Sequence, residues 1–143
     1  MSQRDVEIVR FMIETWEAED FGAVRDVFDP EVEVVDLQSV MGMKERGRGP
    51  EEFRRMAAQW TEIFDDWRVE VHEVLDAGPG AVLAEVTFHG VGRDSGAAVH
   101  TRQFEVYRLM DDRIVEVRVG FRSRQEALDW LRRRERAYPA TAL

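Results

Sequence analysis

The chain predicts an α+β domain, with a curved antiparallel sheet wrapped on N-terminal helices to form a cone-shaped pocket. Three observations lead there. Apolar residues recur at helical spacing as far as Phe64. From about residue 67 the period drops to two and valine becomes frequent. The late segments are joined by turns too short for a crossover, so neighbouring strands must run antiparallel. Helices gathered early and a meander late make one sheet with helices on one face.

The elements follow in order. Ser2 with Asp5 three residues on resembles a capping-box start, Asp replacing the usual Glu. Val6, Val9, Met12, Ile13 and Trp16 then form one apolar helix face. A short second helix spans Phe21 to Phe28, and Asp29-Pro30 stops it. Residues 32–36 read as a strand ending in Asp36. The segment QSVMGMKERGRG (38–49) has three glycines and no steady period, so it is a loop. Pro50 suits the first turn of the next helix, where its missing N–H is not needed, and Glu51 and Glu52 suit its positive dipole end. Phe53, Met56, Ala57, Trp60 and Phe64 make that helix's buried stripe.

Strands are expected at 67–77, 81–92, 97–110 and 113–121, separated by AGPG, GRDSG and MDDR. Ser123 and Glu126 form a capping box for a last helix carrying Ala127, Leu128 and Leu131. Counting outward from a hairpin centred on Asp94 pairs Phe88 with Thr101, Val86 with Gln103, Ala84 with Glu105 and Val82 with Tyr107. Counting across Asp111-Asp112 sets Tyr107 near Val117 and Glu105 near Val119. The inner face then carries Val82, Ala84, Val86, Phe88, Val115, Val117, Val119 and Phe121, together with Gln103, Glu105 and Tyr107. The outer face carries charged pairs such as Arg108–Glu116, and Phe104 and Val106 there favour a partner sheet over bare water.

Composition narrows the function. The 143 residues suit one domain with one core, taken as residues 1–136 with a tail at 137–143. A hydrophobic fraction of 44% with 34% charged residues describes a globular chain. No apolar run approaches the roughly 20 residues of a membrane span, and the acidic N-terminus does not read as a secretory signal, so a cytoplasmic location is expected. No cysteine is present, which excludes disulfides, thiolate metal sites and cysteine nucleophiles. The net charge of −9 opposes nucleic-acid binding, and the run RRRER at 132–136 reads as a helix terminus.

The stretches FMIETWEAEDFGAVRDVFDPEVEVVD (11–36), GRGPEEF (47–53), FHGVGRDSGAAV (88–99) and FEVYRLMDDRIVEVRVGFRSRQEAL (104–128) cover most of the chain. Together they resemble the SnoaL-like branch of the nuclear-transport-factor-2-like superfamily, which includes ketosteroid isomerases, polyketide cyclases and limonene epoxide hydrolases. The resemblance implies a cystatin-like α+β barrel. It places Asp36 where the isomerases carry their catalytic base, and Glu105 near their second, protonated acid. Met12 stands where those enzymes have a helix-borne tyrosine, so that donor is missing. The Asp–Arg–Asp relay of the epoxide hydrolases is not matched as a set.

The candidate catalytic groups are therefore Asp36, Glu105 and Tyr107. A carboxylate in an apolar pocket has its charged form disfavoured, which moves its pKa toward the range useful to a base. Two close carboxyls push their pKa values apart, so Glu105 would stay neutral and donate. Tyr107 offers a phenolic donor or simple wall packing. The candidate ligand-binding groups are Met12, Trp16, Trp60, Phe64, Val86, Phe88, Gln103, Val117, Val119 and Phe121. His89 and His100 fall opposite each other on the outer face without a third ligand, so no metal is expected.

The function expected is binding of a small, largely apolar molecule, with proton transfer of the isomerase or cyclase type through Asp36. A non-catalytic ligand-binding or dimerisation module, and an epoxide-hydrolase-like hydration, are the alternatives. No cofactor is required for this chemistry. A homodimer through the outer sheet face is expected, with neither nucleic acid nor membrane as partner.

Overall fold

The computed structural model describes residues 2–17, 20–38 and 43–137. Helix α1 (Ser2–Glu17) buries Val9, Met12 and Ile13. The side chain of Ser2, assigned to its start, lies outside the described residues. Asp20 caps α2 (Phe21–Val24) by accepting from Ala23 N–H at 3.2 Å. A 3₁₀ turn at Arg25–Val27 follows, and strand β1 (Phe28–Asp36) begins earlier than its valines suggested. The helix expected to reach Phe28 therefore ends at Val24, and Asp29-Pro30 lies inside a strand near its start, a position proline tolerates.

The expected loop at 38–49 contains a short strand, β2 (Arg46–Arg48), while residues 39–42 lie outside the described residues. Helix α3 (Pro50–Ile63) runs directly into β3 (Phe64–Asp76). Strands β4 (Ala81–Gly92), β5 (Ala98–Met110) and β6 (Arg113–Phe121) complete the sheet, and α4 (Arg124–Ala137) ends it, with Ser123 Oγ accepting from Glu126 N–H at 3.1 Å. Of the expected tail at 137–143, Ala137 ends α4 and 138–143 lie outside the described residues.

The sheet order is β2-β1-β6-β5-β4-β3. The late meander is antiparallel as expected, but β1 runs parallel to β6, so the sheet is mixed. The β4–β5 register matches the counting: Phe88 pairs with Thr101, Val86 with Gln103, Ala84 with Glu105 and Val82 with Tyr107. Across β5–β6, Tyr107 pairs with Val117, but the next partners are Val106 with Arg118 and Phe104 with Phe121. Strand β6 thus carries two extra residues: Val115 near the turn, so that Ile114 and not the expected Val115 faces the inner core, and one beside Gly120 at φ 99°. A bulge exchanges the faces beyond it, so Phe121 turns to the outer side and not into the cone.

Two apolar clusters result. The main one lies between α1, α3 and the inner sheet face, around Val9, Met12, Phe28, Val86, Ile114 and Val117. The second lies on the outer face, where α4 presses Ala127 and Leu131 on Leu83, Phe104, Val106 and Phe121. Helices therefore sit on both faces. Phe104 and Val106, read from sequence as favouring a partner sheet, are covered by the chain's own last helix.

The outer face is otherwise polar. Arg108 donates to Glu116 at 3.1 Å, the expected cross-strand pair, and Arg102 and Arg124 both pair with Glu85. His89 meets His100 through their Nδ1 atoms, and its Nε2 lies 2.8 Å from Glu70 Oε1. Among the described residues, no group of three or more His, Asp or Glu side chains is placed to hold a metal ion. No described helix is long and apolar enough to cross a membrane.

Candidate functional site

A cavity of about 720 Å³ opens between the helices and the inner sheet face. Eight aromatic side chains contribute to its wall. Trp60, on the last turn of α3, lies parallel to Trp67 of β3, with centroids 5.5 Å apart and planes 10° from parallel. Phe64 stacks on both, and Trp67 in turn stacks on Phe88 at 5.2 Å. Offset stacks of this kind suit the ring quadrupoles. Gly90 makes room for them: a Cβ there would lie 2.9 Å from Phe64 Cβ and 3.0 Å from Trp67 Cε3. A second aromatic group lies toward α1, where Trp16 meets Phe21, Phe28 and Phe53 edge-on.

Asp36 is the last residue of β1 and is only 8% exposed. Its position is fixed by the sheet on both sides. Its N–H donates to Glu45 O at 2.8 Å, and it pairs with Val119 of β6. Both carboxylate oxygens are engaged. Oδ1 accepts from Gln38 N–H at 2.9 Å, and Oδ2 accepts from the Trp60 indole N–H at 3.0 Å. Burial pushes the Asp36 pKa above its usual value, and the two donors pull against that rise.

Glu105 and Tyr107 project inward from β5, two residues apart on the same face. Tyr107 donates its hydroxyl to Glu105 Oε1 at 2.6 Å. Desolvation pushes Glu105 up to about 7, the Tyr107 hydrogen bond opposes this, and the charge of Asp36 adds to it. Burial and the neighbouring carboxyl push Tyr107 well above its usual value, so its hydroxyl keeps its proton. The cavity thus holds two carboxyls in different surroundings. One is clamped by two N–H donors; the other is buried and meets a hydroxyl donor.

Of the residues singled out from sequence, Asp36, Glu105, Tyr107, Met12, Trp16, Trp60, Phe64, Phe88, Gln103 and Val119 all line this cavity. Val86 and Val117 do not. They have no exposure and fill the core behind the wall. Phe121 lies on the far side of the sheet, tilted against Trp130 of α4 at 6.1 Å. Sequence reasoning missed Trp67, although the alternation Trp67, Val69, Val71 against Arg68, Glu70, His72 marks it as inward. It also missed Gln38, which carried no periodic signal because it follows the strand.

A family model for the SnoaL-like domain matches residues 9–117. The chain belongs to the SnoaL-like family. No curated protein matches this SnoaL-like chain. Solved structures share its fold at low identity. TerC, co-crystallised with polyporic acid, is 13% identical, with a TM-score of 0.72 over 82% of this chain and 91% of its own. A protein provisionally assigned as a SnoaL-like polyketide cyclase, from Jannaschia, is 20% identical, with a TM-score of 0.69 over 82% of this chain and 85% of its own. A Catenulispora acidiphila protein with a ketosteroid isomerase-like fold, in complex with trimethylamine, is 15% identical, with a TM-score of 0.66 over 80% and 85%. At these identities the likeness concerns the fold alone. What the SnoaL-like cone does in this chain rests on its own residues.

Proposed function

We propose that the protein binds a small, largely apolar molecule in the cavity and moves a proton next to a carbonyl, as isomerases and cyclases do. One observation carries this reading: two buried carboxyls, Asp36 and Glu105, line a single aromatic-walled cavity and differ in what holds them. Asp36, aimed by two N–H groups, is the base that accepts the proton. Glu105, neutral up to about 7, donates a hydrogen bond to the oxygen on which negative charge develops. The Tyr107 hydroxyl is spent on Glu105 Oε1, so Tyr107 orients that acid and leaves its other oxygen to face the guest. The family's cyclases and isomerases, and the small molecules bound by two of the structural neighbours, support this reading.

The test is a screen of carbonyl, enone and epoxide compounds, with binding followed by the fluorescence of Trp60 and Trp67. Asp36→Asn is expected to lower turnover by at least about a hundredfold, the usual contribution of a positioned base, while binding changes little. Turnover that survives unchanged in Asp36→Asn removes Asp36 as the base. Binding without turnover of any compound assigns the cavity to a non-catalytic ligand carrier.

A further inference from the structure

We propose that Trp60 is a positioning residue for Asp36, its indole N–H fixing one carboxylate oxygen relative to the cavity wall and favouring the ionised acid. This deepens the reading of Asp36 as a base, and its main test needs no substrate.

The two donors to Asp36 are not equivalent. The Gln38 N–H lies two residues along the chain and travels wherever Asp36 goes. The Trp60 bond joins β1 to α3 across 24 residues, so it holds the carboxylate in a defined place in the cavity. The indole is itself held. It lies within 10° of the Trp67 plane and 13° of the Phe64 plane, and Trp67 rests on Phe88 at 12°. Turning the ring to withdraw its N–H breaks both stacks. An indole N–H only donates, and it binds an ionised carboxylate more strongly than a neutral one. Burial of Asp36 and the Glu45 carboxylate oppose its ionisation, Glu105 across the cavity is coupled to it by charge, and the Trp60 N–H works against these effects.

The experiment follows ¹⁵N-labelled and carboxyl-¹³C-labelled protein by NMR through an acid titration without substrate. In wild type, the Trp60 indole N–H resonance is expected to shift with the same midpoint as the Asp36 carboxyl, and this shift is expected to vanish in Asp36→Asn. Trp60→Phe keeps an aromatic ring in the stack and removes the donor. It is expected to move the Asp36 midpoint to higher pH. With a turned-over compound in hand, it is also expected to lower kcat/KM about tenfold on the acid side, with the acid limb displaced upward. Trp67→Phe, which disturbs the ladder and leaves the N–H, is expected to keep the shared midpoint. An Asp36 midpoint unmoved in Trp60→Phe, or a Trp60 N–H insensitive to the Asp36 titration, overturns the proposal. If Trp60→Phe fails to fold, the wild-type and Asp36→Asn titrations decide alone. Because the titrations contain no substrate, they can fail while Asp36→Asn still abolishes turnover, and the reverse.

Discussion

The Tyr107 hydroxyl donates to Glu105 Oε1 at 2.6 Å inside a cavity where both side chains are buried. Removing that donor by Tyr107→Phe is expected to push the Glu105 titration above its value of about 7, because the bond favours the ionised form. The alkaline limb of any pH–rate profile should move upward with it. A stability loss of about 1 kcal/mol, read by urea denaturation, is expected from the lost bond.

Glu105 also makes stability depend on pH in a definite sense. Its folded pKa of about 7 lies above the ordinary 4.5, so the folded state holds a proton that the unfolded chain has released between those values. Stability attributable to this group is complete below about 4.5 and falls as pH rises toward 7. The full difference is on the order of 3 kcal/mol. Glu105→Gln, which cannot ionise, is expected to gain on wild type as pH rises through this window. Parallel unfolding curves at pH 5 and pH 8 check it.

Phe121 was expected to touch the ligand and instead packs against α4 on the outer face. Phe121→Ala should therefore destabilise by about 3 kcal/mol or more, as large-to-small core changes do. Ligand affinity, measured well below the melting temperature, should change less than about twofold. A large loss of affinity with little loss of stability would return Phe121 to the cavity.

Gly90 lies behind the ring ladder, where a methyl group would press on Phe64 and Trp67 at about 3 Å. Gly90→Ala is expected to shift those rings, weaken binding of an apolar guest several-fold and cost about 1–3 kcal/mol through overpacking. Fluorescence titration and thermal melts measure both.

Gly120 supports the bulge at φ 99°, and a Cβ there would lie 2.8 Å from Gln38 Cγ. Gly120→Ala is expected to cost about 1–3 kcal/mol through backbone strain. It should also disturb Gln38, whose N–H holds Asp36 and whose side chain donates to Gly120 O at 2.8 Å. The loss of activity should therefore exceed what the lost stability alone predicts.

Much of the site was legible because the short turn around Asp94 sets the register of β4 on β5 without interruption. Centring the hairpin on Asp94 brings Gln103, Glu105 and Tyr107 to the face of Val86 and Phe88, where a slip of one residue would have reversed them. Asp36 was legible from its place at the end of a valine-rich strand. Alternation says which way a strand's residues face and nothing about its neighbour, so the parallel pairing of β1 with β6 was not. The bulge at Gly120 was hidden for a related reason. One added residue leaves the local pattern intact while reversing everything beyond it, and Phe121 was misplaced accordingly. The Trp60–Asp36 bond was invisible because it depends on the ring's rotation about its own side-chain bonds, which spacing does not specify.

Strand β1 closes against β6, with Asp36 beside Val119 and the Leu37 N–H on Val119 O at 2.9 Å. During synthesis the acid is made early and its neighbour very late. Without β6, the β1 edge that carries Asp36 has no partner on that side. The surroundings of Asp36 are thus assembled from two ends of the polypeptide, and a chain cut before β6 would lack that side of the cavity wall.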